Sequence, residues 1–175
     1  MAVVDADKLA AQVTAPGSET LPLLAQAFGA EVLRDDGTLD RKMLAAIAFS
    51  TPENTEKLNA ITHPAIKELL DAELARLKAC GEKVAVLDAP LLFEAKLDAI
   101  CDMTVAVLAS KEVRLTRILS RDEITEQAAL LRMAAQPSEQ FYLDRADNVL
   151  YNDDNEDSLR KQTSVLIREI GRWCE

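Results

Sequence analysis

The run Val3-Val4-Asp5-Ala6-Asp7 constrains this chain more than any other segment. Two β-branched residues ending in carboxylates read as a short buried strand that delivers acids to its carboxyl end. In open α/β sheets that end is where ligands bind. The single small residue between the aspartates lets both side chains leave the same end of the strand. Val84-Ala85-Val86-Leu87-Asp88 repeats the pattern. It is almost continuously apolar, as a parallel strand buried on both faces should be, and it too closes on an aspartate. Residues 103–108 give a third strand of this kind, and Asn148-Val149-Leu150-Tyr151 a short last one.

Helical spacing fills the intervals. A first helix runs from Ala6 to Thr14 and stops near Pro16-Gly17. Ser18 is placed to cap a second, which ends at Phe28-Gly29. Asp35-Asp36-Gly37 is a turn, and Asp40-Arg41 a helix-start pair within the helical stretch Leu39 to Phe49. Thr51-Pro52-Glu53 opens the next helix, with proline at the first position and an acid in the first turn. A residue before proline avoids the helical region, so a break is expected at His63-Pro64. A longer helix then follows from Pro64 to Ala79, closed by Gly81. Downstream, Ser110 caps a helix through Arg121, Thr125 caps one ending near Gln136-Pro137, and residues 156–173 form the last. Strands alternating with helices imply an α/β fold with a doubly wound parallel sheet and a helical insertion before the second strand.

The 175 residues carry a net charge of −10 and a pI near 4.7, which argues against binding duplex nucleic acid or an anionic membrane surface. A phosphorylated small molecule stays compatible, since a few local arginines can hold it. Cys80, Cys101 and Cys174 are odd in number and widely spaced, so neither a metal site nor a disulfide framework is expected. With no leader-like segment and no apolar run of membrane length, a soluble cytoplasmic protein is expected.

Asp5 and Asp7 could provide a general base or a magnesium-facing carboxylate, and a helix N-cap would explain them equally. Asp88, before Ala89-Pro90, could hold magnesium through water or could simply form a turn. Glu94 sits in an apolar turn, and structure is the favoured reading for it. Arg114, Arg117 and Arg121 share one helical face and could clamp phosphates, with Arg132 closing over them. Spacing alone favours a solvated face partnered by Glu112, Asp122 and Glu123. His63 lies four residues after Asn59, and a cap or a packed side chain is its ordinary explanation. Arg41 could face an acidic or phosphorylated ligand. The acids Asp153, Asp154, Glu156 and Asp157 suit a helix start and receive no chemistry.

Taken in order, the segments VVDAD at 3–7, PG at 16–17, FG at 28–29 and DGTLDR at 36–41 form the first half of a pattern. LNAITHP at 58–64, LDAPLLFE at 87–94, RLTRILSRD at 114–122, RMAAQ at 132–136 and ADNVLYN at 146–152 complete it. Each alone is weak, but the collinear set resembles dephospho-CoA kinase over essentially the whole chain. The resemblance implies a P-loop kinase fold in a single kinase-like domain, 1–175, with a helical CoA-substrate region at 18–80 and a lid at 121–137. It implies transfer of the γ-phosphoryl of ATP to the ribose 3′-hydroxyl of dephospho-CoA, with Mg2+, in the last step of coenzyme A synthesis. By that resemblance Asp7 is the base with Asp5 beside it, and Arg117 stabilises phosphoryl charge. Arg121 and Arg132 bracket the lid, Asn152 lies near the adenine, Arg41 and His63 contact substrate, and Asp88 faces the metal through water.

Two departures stand out. Tyr151-Asn152-Asp153-Asp154 lacks the family's usual aspartate before the asparagine and the glycine two after it. None of the five glycines opens a G-x-x-x-x-G-K-[ST] loop, which the family places roughly twenty residues upstream of the paired aspartates. The resemblance puts the missing loop's strand at the sheet centre, between 84–88 and 103–108. Unpaired edges are therefore expected on both, at about 1–3 kcal/mol for each backbone group left unsatisfied. A misplaced start or a fragment is the expectation. The alternative is a non-catalytic remnant that binds a CoA-like nucleotide. A phosphotransferase acting on another hydroxyl ranks third.

Overall fold

The computed structural model describes residues 1–173, so Cys174 lies outside the described residues. The chain divides into two compact units, Met1–Pro90 and Leu91–Glu175, each built on one parallel pair of short strands.

In the first unit, β1 (Ala2–Asp5) pairs in parallel with β2 (Ala85–Asp88), Val4 opposite Leu87 and Asp5 opposite Asp88. The helices between them are α1 (Ala6–Val13), α2 (Thr20–Phe28), α3 (Arg41–Ala48) and α4 (Pro52–Ala79). Leu21, Leu24, Phe28, Val32, Leu39, Leu44 and Ala48 form the core of the helical region, with Leu58 and Ile61 of α4 packed on it. Val4 is buried on one face of the strand pair, while Val3 and Val86 on the other are 65% and 37% exposed. The expectation that residues 84–88 are buried on both faces is thus not met. Helices α1 and α4 pack with each other, and α4 also meets β1.

The expected break at His63-Pro64 does not occur: α4 continues through Pro64 for 28 residues. Proline removes the bond to the carbonyl four residues back, that of Ala60. Ala60 and Pro64 are both exposed, so the lost bond lies away from the buried side of the helix. The apolar stripe from Leu58 and Ile61 to buried Leu70 and Leu77 runs on without interruption, and tertiary packing carries the helix past its weak point. Thr51 caps its start through the Asn54 N–H, as expected. Its end is a Schellman turn: Glu82 N–H donates to Leu77 O, Gly81 N–H donates to Lys78 O, and Gly81 adopts φ +81°.

The Ser18 cap is also corrected. Helix α2 begins at Thr20, its preceding residue Glu19 is already helical at φ −65° and ψ −16°, and no side chain caps it. The Ser18 hydroxyl is buried without a hydrogen-bond partner among the described residues.

In the second unit, β3 (Val105–Leu108) pairs in parallel with β4 (Asn148–Tyr151). Among the described residues each of the four strands has one hydrogen-bonded neighbour, so the expected single sheet is seen as two parallel pairs. Around β3 and β4 lie α5 (Lys111–Arg121), α6 (Glu126–Ala134), α7 (Glu139–Leu143) and α8 (Glu156–Trp173). Ser110 and Thr125 cap α5 and α6 as expected. The short α7, capped by Ser138, was not anticipated. The Gln162 carboxamide of α8 bonds both the N–H and the carbonyl of Tyr151 at 3.0 and 2.8 Å, closing that stretch of the β4 edge. No helix among the described residues is long and apolar enough to cross a membrane.

Candidate active site

The parallel register of β1 and β2 sets Asp5 directly beside Asp88 at the carboxyl ends of adjacent strands, a pairing that the sequence pattern did not specify. One turn of chain later Asp7 joins them. Asp5, Asp7, Lys8, Ala11, Asp88 and Pro90 line a cavity of about 280 Å³. Asp5 is the helix cap, accepting from the Lys8 N–H at 3.0 Å, with the Lys8 ammonium at 3.3 Å. The Lys8 backbone N–H, ahead of the ammonium, holds the Asp5 carboxyl below its ordinary value. The capping explanation therefore describes Asp5. Asp7, in the first turn of α1, is exposed and makes no side-chain hydrogen bond or ion pair among the described residues. Asp88 is likewise exposed and makes no side-chain hydrogen bond or ion pair among the described residues. Asp7 and Asp88 thus both present free carboxylates to the cavity, beside the capping Asp5.

Arg41 and His63 do not line this cavity. Arg41 donates to the Thr14 hydroxyl at 2.9 Å, tying the start of α3 to the end of α1. His63 is neither a cap nor packed: it stands exposed in mid-helix, on the α4 face it shares with Asn59.

The second unit gathers the arginines. Arg117 donates to the Asn152 carboxamide oxygen at 3.3 Å, joining α5 to the end of β4. Arg121 and Arg132 converge on Asp122, whose carboxyl is held down first by the Arg121 hydrogen bond and then by Arg132. Of the partners expected on a solvated face, Glu112, Asp122 and Glu123, only Asp122 pairs with an arginine of α5 among the described residues, namely Arg121. Arg117 bonds Asn152 instead, and the Arg114 Nε is buried without a hydrogen-bond partner among those residues. Asp153 is more than a helix-start acid: it accepts from the Ser110 N–H at 2.6 Å and so locks the loop after β4 to the start of α5.

Glu94 is structural, as favoured. It accepts from the Tyr142 hydroxyl at 3.0 Å, and Phe93, Phe141 and Tyr142 pack against one another with ring centroids 5.1 to 6.4 Å apart. Burial, then the Glu94 carboxylate, push the Tyr142 phenol above its ordinary value. Lys8 was missed by the sequence reading. Its position three residues after a capping aspartate was the available signal.

Comparison with known proteins identifies the family. Residues 1–158 match the family model described as dephospho-CoA kinase. The chain is 43% identical over 168 residues to a dephospho-CoA kinase of Syntrophotalea carbinolica, covering 96% of this chain and 80% of that one. It is 42% identical to one from Corynebacterium glutamicum, with 96% and 84% covered. Its fold is similar to the crystal structure of TT1252 from Thermus thermophilus, with TM-score 0.80, 33% identity, and 96% and 84% coverage. It is also similar to the dephospho-CoA kinase of Campylobacter jejuni, with TM-score 0.71 at 24% identity, covering 100% of this chain and 87% of that one. Extended similarity in sequence, across nearly the whole chain, leads to one conclusion: the chain belongs to the dephospho-CoA kinase family.

Proposed function

We propose that this protein phosphorylates dephospho-CoA to coenzyme A in the cytoplasm, using ATP. The register that sets Asp5 beside Asp88, with Asp7 on the same cavity, is the observation that carries the reading. In this scheme the Asp7 carboxylate accepts the proton of the ribose 3′-hydroxyl as its oxygen bonds the γ-phosphorus. The bond from that phosphorus to the β-phosphate oxygen breaks, and ADP leaves with the electron pair. Asp5, held anionic by its cap, keeps the start of α1 in place so that Asp7 meets the hydroxyl. Arg117 balances charge on the transferring group, and Asn152, its hydrogen-bond partner, lies by the adenine. Arg41 and His63 are the candidate dephospho-CoA contacts on the helical region.

Kinase magnesium is held by one or two carboxylates and by substrate phosphates rather than by a protein cage. The exposed Asp88 at the strand end, on the cavity wall, fits that role through water. When bound, the ion would neutralise phosphate charge. The same reading extends to a doubly wound sheet of the P-loop kinase type, with 18–80 as the substrate region and 121–137 as the lid.

Turnover of dephospho-CoA and ATP by the full-length protein tests the scheme. Asp7→Asn is expected to lower kcat by about 10²- to 10⁴-fold with Tm unchanged. Undiminished turnover in that variant removes the proposed base.

A further inference from the structure

Asp122 follows the last residue of α5 and is gripped by two guanidinium groups at once. Arg121 donates through Nε and Nη2 to its two oxygens at 2.8 and 3.1 Å, and Arg132, from the last turn of α6, donates through Nη1 at 2.5 Å. The carboxylate is the sheltered partner, its side chain 24% exposed against 73% and 53% for the arginines. Two guanidinium groups converging from different helices repel unless an anion lies between them. Planar donors aimed at one point are also the arrangement that recognises phosphate.

The backbone of Asp122 is pinned on both sides. Its N–H donates to Ile118 O and its carbonyl accepts from the Ile124 N–H, each at 2.8 Å. Only the side chain can leave the arginines, and it can do so by rotation without unwinding α5. Solvent-exposed ion pairs are weak enough for a polyanion to displace.

We propose that Asp122 is a stand-in anion. It keeps Arg121 and Arg132 assembled while the site is empty and competes with the polyphosphate of ATP for them. Its displacement then sets how tightly the lid holds nucleotide. The inference rests on reading Arg121 and Arg132 as nucleotide contacts, and the experiment separates the two.

ATP is titrated calorimetrically into the full-length protein and into the variants Asp122→Asn, Arg132→Ala and the two combined. Asp122→Ala is run alongside, so that an amide hydrogen bond cannot imitate the effect. Arg132→Ala is expected to weaken ATP binding by about tenfold or more, from loss of a charge-assisted contact. Asp122→Asn and Asp122→Ala are each expected to tighten it by about threefold. That gain should shrink in the Arg132→Ala background, because Asp122 then contests Arg121 alone. If Arg132→Ala weakens ATP but the Asp122 variants weaken it too or leave it unchanged, the stand-in role is overturned. ATP affinity indifferent to Arg132→Ala overturns instead the reading of the lid on which the inference rests.

Discussion

Thr104 is buried just before β3, and its N–H and hydroxyl both donate to Asp147 Oδ2 at 2.7 Å, while the Asp147 N–H donates back to the hydroxyl at 3.1 Å. The Thr104 hydroxyl, then its N–H, hold the Asp147 carboxyl below its ordinary value. A carboxyl with a lowered folded pKa stabilises the fold above its unfolded value and loses that contribution as pH falls through the folded one. Stability is therefore expected to decline below about pH 4 partly through this pair, and Asp147→Asn should flatten that part of the profile in acid denaturation followed by circular dichroism. Thr104→Val, which leaves the carboxylate one donor short, should lower Tm by about 3 °C. The pair joins residues 43 apart in sequence, so no local pattern announces it. Asp5 and Asp88 were legible because strand ends are local features and parallel register brings them together. Ser18 misled because capping depends on backbone angles that residue identity does not reveal.

Helix α4 shows how an element outlasts a local signal against it. Pro64 was read as a boundary, yet the stripe from Leu58 to Leu77 spans it and the lost bond lies at exposed residues. Pro64→Ala restores one backbone bond and is expected to raise stability by up to about 3 kcal/mol in urea titration. The stop signal, by contrast, was read correctly. No atom lies within 4 Å of where a Cβ on Gly81 would sit, so only its positive φ resists substitution. Gly81→Ala should cost about 1–2 kcal/mol by the same titration. Five-residue α7 escaped notice because one turn and a half carries too little periodicity to register.

At the scale of the whole molecule, the fold class followed from strands alternating with helices, while the division at Pro90 did not. Which residues bury each other depends on contacts distant in sequence. Among the described residues, the first unit buries a cluster centred on Leu24 and Val32, whereas the second buries Ala106, Ala129 and Leu166 as its apolar core. Amide hydrogen exchange should therefore be slowest in α2 and the facing turns of α4, and faster throughout the second unit. The strands themselves have a further consequence. Val3, Val86 and, at 58% exposure, Val107 already stand in water in the folded chain. Unfolding has that much less apolar surface left to uncover. Both the slope of unfolding free energy against urea and the heat-capacity increment on melting should fall below those of an ordinary 175-residue protein, giving a transition that is broad in denaturant.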